Sequence, residues 1–238
     1  MSGVEVANLS YRYGSKQALE DVSFRVESGA FCALLGPNGA GKSTLFNLLT
    51  RLFTSPQGSI RIAGHDLKAS PRAALARLGI VFQQSTLDLD LSVRQNLAYF
   101  AALHGISGRD AAMRIDAALD KLDMLERAGE KARALNGGHR RRAEIARALI
   151  HDPVVLLLDE PTVGLDAHAR AAITAHVHHL SDAGTTVLWA THLSDEVRAD
   201  DRLVILHQAR ILADGITRDI CGDTPLSDAF LTLTTAPA

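Results

Sequence analysis

The segment Gly36–Thr44, "GPNGAGKST", constrains the fold of this chain more than any other feature. It matches the pattern G-x-x-x-x-G-K-[ST], directly follows the apolar run "FCALL", and opens a helical pattern that continues to Leu52. Between a strand and a helix, such a loop turns successive backbone N–H groups toward phosphate oxygens, and the helix N-terminus adds partial positive charge. The sequence therefore predicts an α/β fold with a phosphate-binding loop at the end of a strand.

Every residue of this segment is assigned to phosphate binding: Gly36, Pro37, Asn38, Gly39, Ala40, Gly41, Lys42, Ser43 and Thr44. Lys42 is expected to reach the β- and γ-phosphates of a nucleotide, and Ser43 to ligate Mg²⁺. An ordinary glycine-rich turn is the alternative. It does not account for the strand before the segment and the helix after it.

Short apolar runs recur along the chain, at residues 79–82, 154–158, 185–190 and 202–206. Their length and their Val, Ile and Leu content are typical of strands buried on both faces. Helical spacing is found between runs, at residues 42–52, 166–180 and 194–199. Alternating strands and helices predict a mainly parallel sheet covered by helices.

Two regions depart from this alternation. Residues 3–30 alternate apolar and polar side chains between glycines, which predicts antiparallel strands at the margin of the sheet. From residue 92 to 151 no strand pattern is found, and apolar residues recur at helical spacing, at Ile115, Leu119 and Leu122. This second region therefore predicts an inserted bundle of helices.

Together these patterns predict the domain organisation. A P-loop NTPase core, residues 1–83 and 152–238, carries the mainly parallel sheet and an N-terminal antiparallel β subdomain. Residues 84–151 form an inserted all-helical subdomain. A length of 238 residues suits a core with one added lobe, because domains average ~150 residues.

Composition argues against several classes of protein. Lys and Arg total 25 against 27 Asp and Glu, so a net charge of -2 provides no overall attraction to nucleic acid or an anionic membrane. Two cysteines are too few for a disulfide framework, and no apolar run approaches the ~20 residues that cross a bilayer. We therefore expect a cytoplasmic protein with no nucleic-acid partner.

A second chemical motif is the sequence "VVLLLDEP", an apolar strand that ends in two acids. Asp159 lies at the carboxyl end of the strand, where α/β sheets bind ligands, and its carboxylate can hold Mg²⁺ opposite Ser43. Glu160 is then placed to orient or deprotonate an attacking water. By itself an Asp-Glu pair also suits a solvated loop or a helix cap, but the independent phosphate loop favours the chemical interpretation.

With both motifs in this order, the chain resembles the ATP-binding subunit of an ABC transporter. The segments "STLDLDLSVRQNLAYFAALHGI" and "GGHRRRAEIARAL" resemble the drug- and polysaccharide-export type most. The resemblance implies that Tyr13 stacks on adenine, although Tyr11 is a competitor. It also places Gln83 of "VFQQ" in the family's glutamine loop, where the side chain senses Mg²⁺ and the water.

The resemblance extends to the family signature, usually LSGGQ, which reads "LNGGH" here. Asn136 stands where Ser is common, and His139 where Gln is common. Gly137 and Gly138 remain, and they let a helix N-terminus approach the γ-phosphate of the ATP on the other subunit. The two departures bear on catalytic rate more than on ATP recognition.

Two further residues match family motifs. Asp166 in "PTVGLDAH" resembles the acidic member of the D-loop, and it also suits the N-cap of the next helix. His192 in "LWATHLSDE" matches the switch histidine, which contacts the γ-phosphate and orders the water beside Glu160.

The resemblance implies an ATPase that dimerises around two Mg-ATP and powers transport through a separate transmembrane permease. The likeness to the export type implies that the direction of transport is export. The dimer would be a homodimer or a heterodimer of such subunits, held on the inner face of the cell membrane by the permease. Two alternatives are a soluble ABC-type ATPase of an iron–sulfur assembly system and a regulatory module that binds nucleotide without hydrolysis. Co-purification with a soluble scaffold would favour the first alternative.

Two polar clusters are expected to be ordinary surface. His176, His178 and His179 lack further ligands for zinc, so a solvated helix face is the better interpretation. Three consecutive arginines, residues 140–142, fan around a helix with Glu144 four residues after the first. The tail from residue 231 onward is expected to fray.

Overall fold

The computed structural model describes residues 2–235. Its strands are β1 (Ser2–Tyr13), β2 (Lys16–Glu27), β3 (Phe31–Leu35), β4 (Ser59–Ile62), β5 (His65–Asp66), β6 (Leu78–Val81), β7 (Val155–Asp159), β8 (Thr186–Thr191), β9 (Arg202–His207) and β10 (Arg210–Ile216). Its helices are α1 (Lys42–Leu49), α2 (Pro71–Leu75), α3 (Val93–Leu103), α4 (Gly108–Asp120), α5 (Gly137–Leu149), α6 (Ala167–Asp182), α7 (Thr217–Cys221) and α8 (Leu226–Thr235).

The larger sheet has six strands in the order β10-β9-β3-β8-β7-β6. The five strands from β9 to β6 are mutually parallel, as predicted, and β10 is antiparallel to β9 at the edge. Register pairs Leu35 with Thr191 and Asp159 with Ala190. The phosphate loop and the residues after β7 and β8 therefore meet at one edge of the sheet.

The antiparallel strands of residues 3–30 lie in a second sheet, which corrects their expected place at the margin of the parallel one. Its order is β2-β1-β4-β5, so β1 pairs with both β2 and β4. The two added strands were missed because they are only four and two residues long. In β4, Ile60 and Ile62 are buried and Arg61 is exposed, which is the alternation of a strand with one covered face.

The core fills both faces of the parallel sheet. In β3, Phe31, Ala33 and Leu35 belong to the cluster that includes α5 and α6, whereas Cys32 and Leu34 belong to the cluster that includes α1 and the antiparallel sheet. This alternation follows from the two-residue period of a strand. Burial on both faces explains why these strands read as continuous apolar runs.

Residues 92–151 contain the helices α3, α4 and α5, with the predicted apolar positions Ile115, Leu119 and Leu122 buried among them. A capping box begins α3, in which Ser92 accepts from the Gln95 backbone and Gln95 accepts from the Ser92 backbone. This segment packs against the face of the parallel sheet that α6 also covers.

Two local predictions are wrong. The helix expected at 194–199 is a single 3-10 turn, Ser194–Glu196, because Val197 is already extended and the Glu196 side chain points into the protein. The tail is helical through Thr235, and Phe230 and Leu233 pack on the core. Residues 236–238 lie outside the described residues. Within residues 2–235, none of the helices has the length and apolar character needed to cross a membrane.

Candidate nucleotide site

The phosphate loop joins β3 to α1, and two of its glycines are required by the backbone. A Cβ on Gly36 would overlap the carbonyl oxygen of Leu206. Gly41 has φ near +117°, and a Cβ there would approach the Ala18 carbonyl oxygen. Neither position tolerates a side chain. Glycine at both positions therefore allows the tight turn that places the loop N–H groups at the N-terminus of α1.

Lys42 lies at the base of the loop and is 4% exposed. Its Nζ donates to the carbonyl oxygens of Gly36 at 2.6 Å and Pro37 at 3.2 Å. The same Nζ is 3.1 Å from Oε1 of Glu160, also a buried residue. The ammonium is therefore held between the phosphate loop and the acidic end of β7.

Glu160 directly follows β7 and connects the sheet to the switch histidine. Its backbone N–H donates to Ala190 at 2.9 Å, and its φ of +45° is uncommon for a residue with a side chain. Oε2 lies 3.4 Å from Nδ1 of His192, whereas Oε1 faces Lys42. The two carboxylate oxygens therefore face two different cationic or proton-bearing partners.

Asp159 ends β7 and is buried beside Glu160. Burial and the neighbouring Glu160 charge raise the pKa of Asp159 to about 6, against opposing effects of Lys42 and Arg141. Its Oδ1 is buried without a hydrogen-bond partner in the described part of the chain. A buried, unpaired carboxylate oxygen fits a ligand for a hard cation such as Mg²⁺.

Lys42, Glu160 and His192 border one cleft of about 590 Å³, which is large enough for a nucleotide. The cleft is lined by Tyr13, Lys16, Gln17, Ala18, Pro37, Asn38, Gly39, Gly41, Lys42, Ser43, Thr44, Gln83, Glu160, Val163 and His192. Asp159 and two loop residues, Gly36 and Ala40, are not among the lining residues.

Tyr13, rather than its competitor Tyr11, borders the cleft. The Tyr13 ring is 44% exposed, and its hydroxyl lies 3.4 Å from Oγ1 of Thr44. Tyr11 instead stacks on Phe53, with ring centroids 5.8 Å apart. The exposed ring of Tyr13 is therefore the one available for stacking on a base.

Gln83 is exposed and lines the cleft, while its backbone is fixed by α5. Arg141 donates to the carbonyl oxygens of Phe82 and Gln83, each at 2.7 Å. Arg141 is buried and paired with Glu144 at 2.7 Å, which corrects the expectation that all three arginines lie on the surface. The pairing partner of Glu144 is Arg141 and not Arg140, because only Arg141 faces the sheet.

The signature residues lie elsewhere on the chain and do not line this cleft. Asn136 is the N-cap of α5 and accepts from the His139 backbone at 2.8 Å. Asn and Ser cap helices about equally well, which accounts for Asn136 in the place of Ser. A Cβ on Gly137 would lie 2.9 Å from the Leu165 side chain, and one on Gly138 would lie 3.0 Å from the Cβ of Ala169.

Asp166 is the N-cap of α6, where it accepts from the Ala169 backbone at 2.8 Å. This hydrogen bond lowers the pKa of Asp166. The residue is exposed and does not line the cleft. Its capping role is therefore visible within one chain.

The histidines of α6 are not all solvated, which corrects a second surface expectation. His178 is buried, donates from Nε2 to Asp201 at 2.9 Å, and stacks on Phe31 with centroids 3.9 Å apart. His176 lies 3.0 Å from Asp123, and of the three histidines at 176, 178 and 179 only His179 is exposed. The first two histidines thus connect α6 to its neighbours.

Sequence reasoning missed two buried groups next to the cleft, the pair Arg141–Glu144 and the carboxylate of Glu196. Arg141 and Glu196 each stand beside residues of the same charge that are not buried, so local sequence gives no signal for their burial. An acidic residue four positions after His192 was visible, but its direction depends on the 3-10 turn.

Comparison with known proteins agrees with this geometry. Residues 19–163 match the ABC transporter family. The chain is 38% identical over 224 residues to the daunorubicin resistance ATP-binding protein DrrA3 of Streptomyces coeruleorubidus, covering 94% of this chain and 71% of that protein. It is 38% identical over 213 residues to the Nod factor export ATP-binding protein I of Rhizobium johnstonii, covering 89% and 68%. For the linearmycin resistance ATP-binding protein LnrL of Bacillus subtilis the identity is 34% over 226 residues, covering 93% and 73%.

Solved structures share the whole architecture. The structure of cbiO1 from Clostridium perfringens, part of the ABC transporter complex cbiONQ, is similar with a TM-score of 0.85 and 27% identity, covering 93% of this chain and 91% of that one. The structure of an ATP binding subunit of an ABC transporter is similar with a TM-score of 0.84 and 28% identity, covering 97% and 98%. The chain therefore belongs to the ABC transporter family, as an ATP-binding subunit that hydrolyses ATP.

Proposed function

We propose that this subunit binds Mg-ATP in the cleft beside Lys42, dimerises around two such nucleotides, and powers export through a separate membrane permease. The observation that carries the proposal is the meeting of the phosphate loop, Glu160 and His192 in one cleft with an exposed tyrosine at its rim. ABC ATP-binding subunits act with separate membrane components, and relatives of this chain are named for drug resistance and Nod factor export.

The phosphates are bound by the N–H groups of the loop and by Lys42, and the adenine by the ring of Tyr13. Ser43, Gln83 and Asp159 are the residues that would hold Mg²⁺, and the unpaired Oδ1 of Asp159 supports this assignment. When bound, Mg²⁺ neutralises charge that develops on the phosphate oxygens.

Hydrolysis depends on a change of partner at Glu160. Lys42 now contacts Glu160, so binding of the phosphates draws the ammonium away and leaves the carboxylate available to orient or deprotonate water. His192, 3.4 Å from the same carboxylate, holds the water and contacts the γ-phosphate. In this scheme Lys42 binds phosphate, Glu160 acts as the base, and His192 positions the reacting groups.

The signature residues act on the partner subunit's nucleotide in this proposal. Asn136, Gly137 and Gly138 lie at the N-terminus of α5, outside the cleft of their own chain. A two-fold dimer that faces each signature toward the other phosphate loop would complete both sites, with Asp166 at the same interface.

We assign residues 1–83 and 152–238 to the ATPase core and residues 84–151 to the helical subdomain. A groove of about 460 Å³ lies near their boundary and contains Tyr99, Leu103, Arg147 and Thr86. Tyr99 and Leu103 are 65% and 66% exposed, and Arg147 donates to the Thr86 carbonyl oxygen three residues after Gln83. A groove of mixed polarity with two large exposed apolar side chains, beside the glutamine loop, suits a cytoplasmic segment of the permease.

The permease is tested by affinity purification of the tagged chain from native membranes. We expect a polytopic membrane protein to co-purify with the wild type. Leu103→Glu should lose this partner, because the charge replaces an apolar contact of the groove, whereas Met113→Glu, at another exposed apolar position on α4, should keep it. Capture of a soluble scaffold protein instead would support the assembly-ATPase alternative and contradict transport.

A further inference from the structure

Glu196 is a buried carboxylate to which the hydrolysis scheme above assigns no role. It is 2% exposed and ends the 3-10 turn Ser194–Glu196, four residues after His192. It does not line the nucleotide cleft. Burying a carboxylate is unfavourable unless it is well hydrogen-bonded, so its partners indicate its purpose.

Three donors surround the Glu196 carboxylate. Oε2 accepts from the indole N–H of Trp189 at 3.0 Å and from the hydroxyl of Thr191 at 2.5 Å. Oε1 accepts from the hydroxyl of Thr162. Trp189 can only donate, so at least that partner requires an acceptor at this position.

Two of these partners belong to the loops that carry the catalytic groups. Thr162 lies two residues after Glu160, and Thr191 directly precedes His192. The Thr191 hydroxyl also accepts from the backbone of Leu193 at 3.0 Å. It therefore fixes the chain on both sides of His192.

We propose that Glu196 is a positioning residue for ATP hydrolysis, which ties the loop of Glu160 to the loop of His192 and sets the 3.4 Å separation between those side chains. The inference rests on the roles proposed above for Glu160 and His192. One carboxylate spans both loops, so its removal breaks the side-chain link between them, while the backbone bond from Glu160 to Ala190 remains and the phosphate loop, fixed by β3 and α1, keeps its place. Displacing a catalytic group by about 1 Å can lower a rate by about 100-fold.

Three variants separate positioning from mere packing. Glu196→Ala removes every acceptor. Glu196→Gln keeps one oxygen for Trp189 and Thr191, and its amide donates to the Thr162 hydroxyl, which can accept as well as donate. Asp195→Ala is the matched control, because Asp195 is the adjacent carboxylate but is exposed and pairs only with Arg170 on the surface among its described contacts.

The experiment measures kcat and KM for ATP, with kcat normalised to the number of sites that bind a fluorescent ATP analogue. We expect Glu196→Ala to lower kcat by about 10- to 100-fold with KM changed less than about threefold. Glu196→Gln should restore kcat to within about fivefold of the wild type, and Asp195→Ala should match the wild type. A loss of bound sites with unchanged kcat per site would mean that Glu196 only stabilises the fold, and it would overturn the proposal.

Thr191→Val provides a second route if Glu196→Ala does not fold. Valine has the shape of threonine but cannot join Glu196 to Leu193, so kcat should fall as in Glu196→Ala with KM retained. Wild-type kcat in a folded Thr191→Val protein would overturn the inference. Glu160→Gln is assayed alongside: wild-type turnover there refutes the proposed function, whereas stalled Glu160→Gln with wild-type Thr191→Val refutes only the role of Glu196.

Discussion

Glu160 combines two close side-chain contacts with an unusual backbone conformation. Its carboxylate is shared between Lys42 and His192, at 3.1 and 3.4 Å, and its backbone has a positive φ that few non-glycine residues adopt. Strained backbone at a reactive position is a common feature of functional sites, because the surrounding structure must enforce it. Here the hydrogen bond from Glu160 to Ala190 on β8 contributes to that enforcement.

Glu160→Gln should stall hydrolysis and tighten ATP binding. The amide keeps the size of the side chain but cannot deprotonate water, and it no longer competes with the phosphates for Lys42. We expect steady-state turnover to fall by about 100-fold or more, and the Kd of a fluorescent ATP analogue to decrease. Lys42→Ala, which removes the phosphate partner itself, should weaken binding instead. Equal turnover in Glu160→Gln and wild type would exclude Glu160 as the base.

The sequence predicted the residues that line the cleft better than the buried residues that hold them in place. Lys42, Glu160 and His192 stand in motifs whose spacing carries information. Arg141 does not, since three consecutive arginines point in three directions around a helix, and only packing against the sheet decides which one is buried. Glu196 was missed because the direction of its side chain depends on a 3-10 turn that the sequence did not predict.

Among the elements, the parallel strands do most to assemble the site. The carboxyl ends of β3, β7 and β8 lie side by side, which brings together residues 36, 160 and 192 from distant parts of the sequence. Apolar runs bounded by polar residues made these strands predictable. The strands β4, β5 and β10 were not, because short or half-exposed strands have weak hydrophobic patterns.

The end of α3 packs on the turn after α5 through two stacked histidine rings, His104 and His151, with centroids 4.1 Å apart. Burial lowers the pKa of His104. Burial and then the charge of His104 lower the pKa of His151, against opposing effects of the Leu78 carbonyl and Asp152. Both rings are thus harder to protonate in the folded chain than in the unfolded one.

Stability should therefore fall on acidification. Below about pH 6.5 the unfolded chain binds more protons at these rings than the folded chain, so the free energy of unfolding decreases as the pH falls toward the lowered folded values. His104→Phe keeps a ring on His151 but removes one charge. We expect a smaller loss of stability between pH 7.5 and 5 in urea titrations of this variant. His179→Gln, at an exposed position on α6, should lose as much as wild type, and identical losses in all three proteins would contradict the role of the stack.

In the whole molecule, the signature residues at the N-terminus of α5 lie apart from the nucleotide cleft, and this separation decides whether one chain can form a complete site. The sequence predicted both sets of residues, and within one chain they do not meet. Their joining across a dimer stays a prediction. No sequence pattern within a single chain specifies how two copies are oriented in a dimer. The glycines at the N-terminus of α5 do indicate that this helix end could bind a phosphate group.

Gly137→Asp is the sharpest test of a composite site. Gly137 is exposed at the first turn of α5, where an aspartate suits the helix dipole, and a Cβ there meets only the flexible end of the Leu165 side chain. Gly138 is less suitable, because its Cβ would press on Ala169 in the same chain. The variant should fold and bind the ATP analogue through its own Lys42. It should nevertheless lose turnover, since its carboxylate would repel the partner's γ-phosphate.

Mixing variants then assigns the signature to the opposite subunit. Gly137→Asp and Lys42→Ala are each inactive as homodimers, but their heterodimer pairs an intact phosphate loop from the first chain with an intact signature from the second. Partial ATPase activity should appear on mixing. Lys42→Ala mixed with Glu160→Gln is the matched control and should stay inactive, because both changes disable the same half of the composite site and no pairing restores a complete one. Full activity of Gly137→Asp alone, independent of protein concentration, would place the signature outside catalysis and leave each cleft to act within its own chain.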